Sequence, residues 1–147
     1  MPLVLLNFVG FRSWFADPLS LRQMLSWVLL CGSVVLVVPG ALQLLRQGKP
    51  SPERPDDPSH FAFEKTTRLV TTGVYRRIRH PLYGSLLLLT WGVYFKRPTW
   101  AGLALALAAT AFLVATAKAE EGENLRYFGE EYRAYLKSTR MFVPRLF

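Results

Sequence analysis

Two long stretches almost free of charge, Leu25 to Leu45 and Pro98 to Ala117, dominate the chain, and the charged residues crowd into the segments between and after them. A bilayer selects such blocks, because about 20 apolar residues rising about 1.5 Å each cross its hydrocarbon core. The pattern divides the 147 residues into a short apolar N-terminal segment (1–18), a span (19–45), a polar loop (46–81), a helical hairpin (82–117) and a polar tail (118–147). The fold class is therefore all-α, a multi-pass transmembrane helical protein with three spans and a short apolar helix at the N-terminus.

Local signals refine the elements. Residues 1–15 are too few to cross the bilayer and read as an interfacial helix; without a basic n-region or a small-residue cleavage site they are no cleavable leader, so the first span is expected to act as the targeting signal. Asp17 is placed to cap the next helix, with Pro18 in its first turn. The Pro39-Gly40 pair inside that span reads as a packing feature. Four prolines between Gln47 and Pro58 exclude a regular helix there. Phe61-Ala-Phe63 and Leu69-Val70 return that loop to the membrane surface or over a cavity. The first hairpin arm, Leu82 to Phe95, has only 14 residues, so its N-terminus is expected deep, beside a polar cavity; the second, Thr99 to Ala117, has 19. Trp91, Tyr94 and Trp100 flank the turn as an aromatic belt. In the tail, Leu125, Phe128, Tyr132, Tyr135 and Leu136 recur at helical spacing, which predicts one amphipathic helix.

Composition agrees: 51% of residues are hydrophobic and 19% charged. Eight Lys/Arg fall in 46–80 and six in 118–147, which puts loop and tail together on the cytoplasmic side. The net charge of +8 is explained by that topology and by anionic lipid rather than by nucleic acid. Cys31, the single cysteine, reads as a small hydrophobe. One cysteine and two histidines give no metal pattern, and no Walker, Rossmann or nucleophile-elbow sequence is present.

Chemistry concentrates in two places. In Tyr75-Arg-Arg-Ile-Arg79-His80-Pro81-Leu-Tyr83, Pro81 suits a first helical turn and pushes His80 to the cap, so free N–H groups and a positive dipole end await an anion. Arg76 and Arg77 read as grips on lipid headgroups, Arg79 and His80 as functional. The second place is the acidic set Glu120, Glu121 and Glu123, where a carboxylate in a cavity can hold an amine or ribose hydroxyls.

Gly73-Val-Tyr75, then Arg79-His80-Pro81-Leu-Tyr83, a helical hairpin, Glu120-Glu121, Phe128-Gly-Glu-Glu-Tyr132-x-x-Tyr135, Arg140 and Pro144 resemble, in order and spacing, the isoprenylcysteine carboxyl methyltransferase family. The likeness covers roughly residues 60 to 147. It implies a cytosol-facing pocket for S-adenosylmethionine, formed by the loop and covered by the tail, with a lateral route from the lipid bilayer for a hydrophobic or lipid-like methyl acceptor. It implies Leu69, Val70 and Tyr75 as the loop part of that pocket, His80, Pro81, Leu82 and Tyr83 as its helix-start part, and Glu121, assisted by Glu120, as the acidic anchor. Arg79 is then the catalytic candidate, orienting an anionic acceptor or balancing charge. Family members acting on prenylated cysteine carry an arginine shortly before the acidic pair; here the stretch is Ala115-Thr-Ala117-Lys118, which leaves Lys118, with Arg140, on the acceptor side. A lipid, a small hydrophobic thiol or an amine are all open as acceptor. Two other readings stand beside this one, an NADPH-dependent membrane reductase of the steroid-reductase type and a non-catalytic membrane scaffold.

Overall fold

The computed structural model describes residues 14–47 and 69–143. Among the described residues four α-helices follow one another: α1 (Leu21–Gln47), α2 (Pro81–Lys96), α3 (Trp100–Phe128) and α4 (Glu130–Ser138), with a 3-10 turn, Gly73–Arg76, ahead of α2. The expectations for residues 1–13, the proline-rich loop with Phe61 and Phe63, and Pro144 lie outside the described residues.

α1 begins later than expected, and its cap is Ser20 rather than Asp17. Ser20 Oγ accepts from the Gln23 amide at 3.3 Å. Asp17 instead occupies the left-handed region (φ 49°) and its carbonyl takes the Ser20 amide at 3.0 Å, forming the turn that precedes the helix. At its far end α1 continues to Gln47, past the expected limit of 45. Among the described residues, α1 and α3 are the two helices long and apolar enough to cross a membrane. Only 17% of the most apolar window of α1 and 28% of that of α3 is buried within the fold, too little for core helices of a soluble protein. Their outward faces carry Val28, Val34, Val35, Leu107 and Phe112, side chains suited to lipid. Cys31, expected to pack, is exposed on α1. α2, the third expected span, has 16 residues and at 1.5 Å per residue covers about 24 Å, short of about 30 Å of hydrocarbon.

Lipid offers no hydrophobic force to drive apolar helices together, so small residues and interhelical hydrogen bonds set the contact. α1 and α2 are antiparallel, and Ser26 and Ser33, seven apart on one face of α1, donate to the Gly92 and Ser85 carbonyls at 2.7 and 2.9 Å. Further along that face Gly40 lies against Pro81, where a Cβ would sit 3.3 Å from the proline ring, so the Pro39-Gly40 pair serves close packing at the start of α2. At the opposite end Arg22 donates to the Phe95 and Lys96 carbonyls, satisfying the C-terminus of α2 with a cation. Lys96, 1% exposed, donates to Gln23 Oε1 at 3.0 Å and lies over the Trp27 ring. α3 is capped by Thr99, whose Oγ1 accepts from the Gly102 amide, and Trp91 on α2 donates to Thr110 on α3.

The tail departs most from expectation. α3 runs unbroken past Ala117 to Phe128, so Glu120 and Glu121 belong to the hairpin helix itself. The expected amphipathic helix is interrupted at Gly129 (φ 59°, ψ −128°), a conformation that excludes most side chains, and α4 folds back from there. Beyond α4 the chain runs parallel to residues 77–80, with Ile78 bridged to Arg140.

Crowding at the α1–α2 contact is measurable. A Cβ at Gly92 would lie 2.9 Å from Leu30, whereas nothing surrounds Gly122 within 4 Å. Gly92→Leu is expected to lower stability by about 1–3 kcal/mol, and Gly122→Ala to raise it by about 0.5–1 kcal/mol, as read by thermal unfolding in detergent.

Candidate active site

The end of the molecule away from the hairpin turn holds an open cleft with about 480 Å³ of empty space, part of it continuous with solvent. Each wall has a local cause. Gly73 adopts φ 59° with the Gln43 side chain directly beneath it, a position a Cβ would occupy. Gln43 accepts from the Val74 amide and donates to Thr72 Oγ1, which seats the 3-10 turn on α1 and turns Tyr75 inward. Tyr135 on α4 closes the other side by donating to the Tyr75 carbonyl at 2.6 Å. His80 occupies the N-cap of α2 without making a cap bond, and Pro81 supplies the first helical turn, as the sequence predicts.

Leu69, Val70, Tyr75, Arg79, His80 and Glu120, all singled out from sequence, line this cleft together. Pro81, Leu82 and Tyr83 lie buried directly beneath it: Leu82 packs with Leu44, Val70 and Tyr75, and Tyr83 with Leu113, Ala117 and Phe142. Five lining residues were missed: Leu44, Asn124, Phe128, Tyr132 and Tyr135. Asn124 and Phe128 follow Glu120 at i+4 and i+8, a helical spacing that was available to find them. Lys118 and Arg140 are exposed and do not line the cleft.

The two glutamates divide their partners. Glu121 accepts from Arg79 Nε at 2.6 Å, and Arg79 Nη1 donates to the Thr139 carbonyl at 2.6 Å and the Leu136 carbonyl at 3.3 Å. Arg79 thus braces α3 against the end of α4 while bordering the cleft. Its neighbours in the chain are zipped to the tail as well, the Arg79 and His80 amides donating to the Arg140 and Met141 carbonyls at 2.8 and 3.0 Å. Glu120 points elsewhere. It is 4% exposed, and its Oε2 is buried 3.7 Å from His80 Nδ1. His80, 5% exposed, has Nε2 at 3.4 Å from Glu121 Oε1 and its ring stacked on Tyr83. Among the described residues, His80 Nε2 and Glu120 Oε2 are buried with no hydrogen-bond partner. Buried polar atoms are normally satisfied, and these two have only the longer ion-pair contacts at 3.7 and 3.4 Å.

The aromatic wall is neutral. Burial pushes the Tyr132 hydroxyl up to about 12, with the Asn124 hydrogen bond opposing and the Glu121 charge adding to the rise. Burial raises Tyr135 likewise, with the Tyr132 charge second. Both stay protonated donors throughout the working range.

The sequence profile of the phospholipid methyltransferase family matches residues 57–131, just over half of the chain. The chain belongs to the phospholipid methyltransferase family. All cleft-lining residues of this family member except Leu44, Tyr132 and Tyr135 fall in that match. A methanethiol S-methyltransferase of Pseudomonas deceptionensis is 33% identical over 73 residues, 50% of this chain and 27% of that protein. Methanethiol S-methyltransferase 2 of Bradyrhizobium diazoefficiens is 36% identical over 74 residues, 50% of this chain and 28% of that protein. The aligned stretch thus covers little more than a quarter of each of these relatives. No solved structure matches the chain significantly.

Arg79→Ala leaves Glu121 without its cation and the Thr139 carbonyl without its donor, and is expected to cost about 1.5–3 kcal/mol. Amide exchange checks it. The amides of residue 79, His80 and Arg140 should exchange faster in the variant, with those of α1 unchanged.

Proposed function

We propose that this chain transfers a methyl group from S-adenosylmethionine to a small hydrophobic or lipid-like acceptor, in a cleft that faces the cytoplasm and is reached from the bilayer. The observation that carries the reading is the pair Glu120 and His80: both line one aromatic-walled cleft, and Glu120 Oε2 and His80 Nε2 are buried with only ion-pair contacts at 3.7 and 3.4 Å in place of a hydrogen bond. The donor set fits the cofactor. A buried carboxylate suits ribose hydroxyls or an ammonium group, the free end of α2 suits a carboxylate, and the faces of Tyr75, Phe128 and Tyr132 suit adenine and a sulfonium cation. The geometry supports Glu120 as the anchor in place of Glu121, whose carboxylate is committed to Arg79.

When bound, the cofactor supplies an electrophilic methyl group on a positively charged sulfur. Methyl transfer asks the protein chiefly for alignment and exclusion of water. Tyr135 and Gln43 hold the turn that carries Tyr75, Leu44 and Val70 keep the floor apolar, and Phe142 covers His80 from the tail side. Arg79 acts as a positioning residue that fixes Glu121 and, through the tail, the ring of His80.

A small thiol is the acceptor these observations favour. Both relatives bear the name of methanethiol S-methyltransferases. Lys118 and Arg140, the two cations assigned to the acceptor side, are exposed outside the cleft, and among the described residues the committed Arg79 is the one Lys or Arg that lines it. Family membership favours methyl transfer over NADPH-dependent reduction, and the Glu120 charge would oppose a 2′-phosphate.

The test is transfer of labelled methyl from S-adenosylmethionine to methanethiol, longer alkyl thiols and a prenylated cysteine by detergent-solubilised protein. Methylated thiol is the expected product. Glu120→Gln removes a charge-assisted hydrogen bond of about 1.5–3 kcal/mol, so cofactor affinity should fall roughly 10- to 150-fold, while Glu130→Gln on exposed α4 leaves it unchanged. Absence of saturable S-adenosylmethionine binding, or full affinity in both Glu120→Gln and His80→Ala, sinks the proposal.

A further inference from the structure

The turn that walls the cleft has a second face. Tyr75 and Arg79 point into the cleft, whereas Val74, Arg76, Arg77 and Ile78 border a separate groove on the outer side, completed by Gly73 and by Leu36 of α1, with about 790 Å³ of empty space. Leu36, Val74 and Ile78 make an apolar floor, and the two arginines stand at its edge. Both are exposed, and neither makes an ion pair with a described residue. Beside the groove α1 continues into Val34, Val35, Val37 and Val38, all exposed, so the floor merges with a face that lies against acyl chains.

Two unpaired guanidiniums above an apolar floor that continues into the bilayer have one chemical complement, a molecule with an anionic phosphate head and a hydrocarbon tail. We propose that this groove binds an acidic phospholipid, its phosphate held by Arg76 and Arg77 and an acyl chain laid along α1 beside Leu36. A guanidinium fork matches phosphate oxygens better than a point charge, and basic residues near an anionic surface add to the attraction. The assignment goes beyond diffuse attraction to the membrane, because the arginines share one groove with an apolar floor. It also has a consequence for the cleft. The turn is short and seated on Gln43, so a lipid held on its outer face steadies the wall that carries Tyr75 and Arg79 on its inner face.

The experiment reconstitutes the full chain in vesicles of equimolar phosphatidylcholine and phosphatidylglycerol and compares association of spin-labelled forms of the two lipids. Methyl transfer is not read, so the outcome is independent of the proposed activity. The wild type should hold phosphatidylglycerol on the order of tenfold more strongly, as two nearby arginines imply. R76A/R77A should bring the two lipids close to parity and R76E/R77E should reverse the order, whereas R76K/R77K keeps most of the preference and R133A/K137A, at exposed positions of α4, keeps all of it. Near-ultraviolet circular dichroism confirms that each variant is folded. Retained preference in folded R76A/R77A, or an equal loss in R133A/K137A, overturns the proposal. So does displacement of the labelled lipid by inorganic phosphate at matched anion concentration, which would mean that the groove takes free phosphate and the acyl chain contributes nothing.

Discussion

Arg79 joins three parts of the chain at once. Its Nε holds Glu121 on α3, its Nη1 holds the carbonyls of Leu136 and Thr139 at the end of α4, and its backbone leads straight into the first turn of α2. Withdrawing a guanidinium and a carboxylate from water is costly unless their remaining hydrogen-bonding capacity is met. Here the carbonyls at the end of α4 meet much of it. With Glu121 neutralised in this way, the adjacent Glu120, about 100° further round the helix, is left to face the cleft and His80. The division of labour between two neighbouring glutamates therefore follows from one ion pair. So does the position of the tail, whose backbone pairs with residues 77–80 and brings Phe142 against His80.

The membrane part supplies the platform. Ser26, Ser33 and Gly40 fall on one face of α1 and admit α2 closely enough for side chain to backbone bonds, which fix the two helices in register where lipid provides no apolar driving force. At one end Arg22 and Lys96 secure the hairpin turn. At the other, the shortness of α2 leaves its first turn beside the cleft. The polar site and the apolar spans thus depend on the same register: a slip of α2 against α1 would move His80 away from Glu120.

The apolar blocks of α1 and α3 were legible because a bilayer imposes length and composition on any helix that crosses it. The start of α2 was legible because Pro81 restricts both itself and His80. What escaped depends on tertiary phase. Which of Glu120 and Glu121 faces the cleft is decided by the rotation of α3 against Arg79, and nothing local distinguishes two adjacent glutamates in a helix. Leu44 is one of many leucines in its span, and only the position of the 3-10 turn singles it out. The apolar spacing of the tail continues across Gly129 and predicts one amphipathic helix, yet that glycine adopts a conformation that breaks the helix. The displaced cap was a matter of local competition, since Ser20 and Asp17 are both good caps and the turn Asp17 enters hands the role to Ser20.

Photo-cross-linking with S-adenosylmethionine labelled in its methyl group, followed by peptide mapping, tests the central claim that the methyl donor sits between Glu120, His80 and the aromatic wall. The account predicts label on peptides holding Tyr75 and residues 120–135, displaced by excess S-adenosylhomocysteine. Label confined to the Trp14, Trp27 and Lys96 end of the molecule, or no displaceable label, would contradict it.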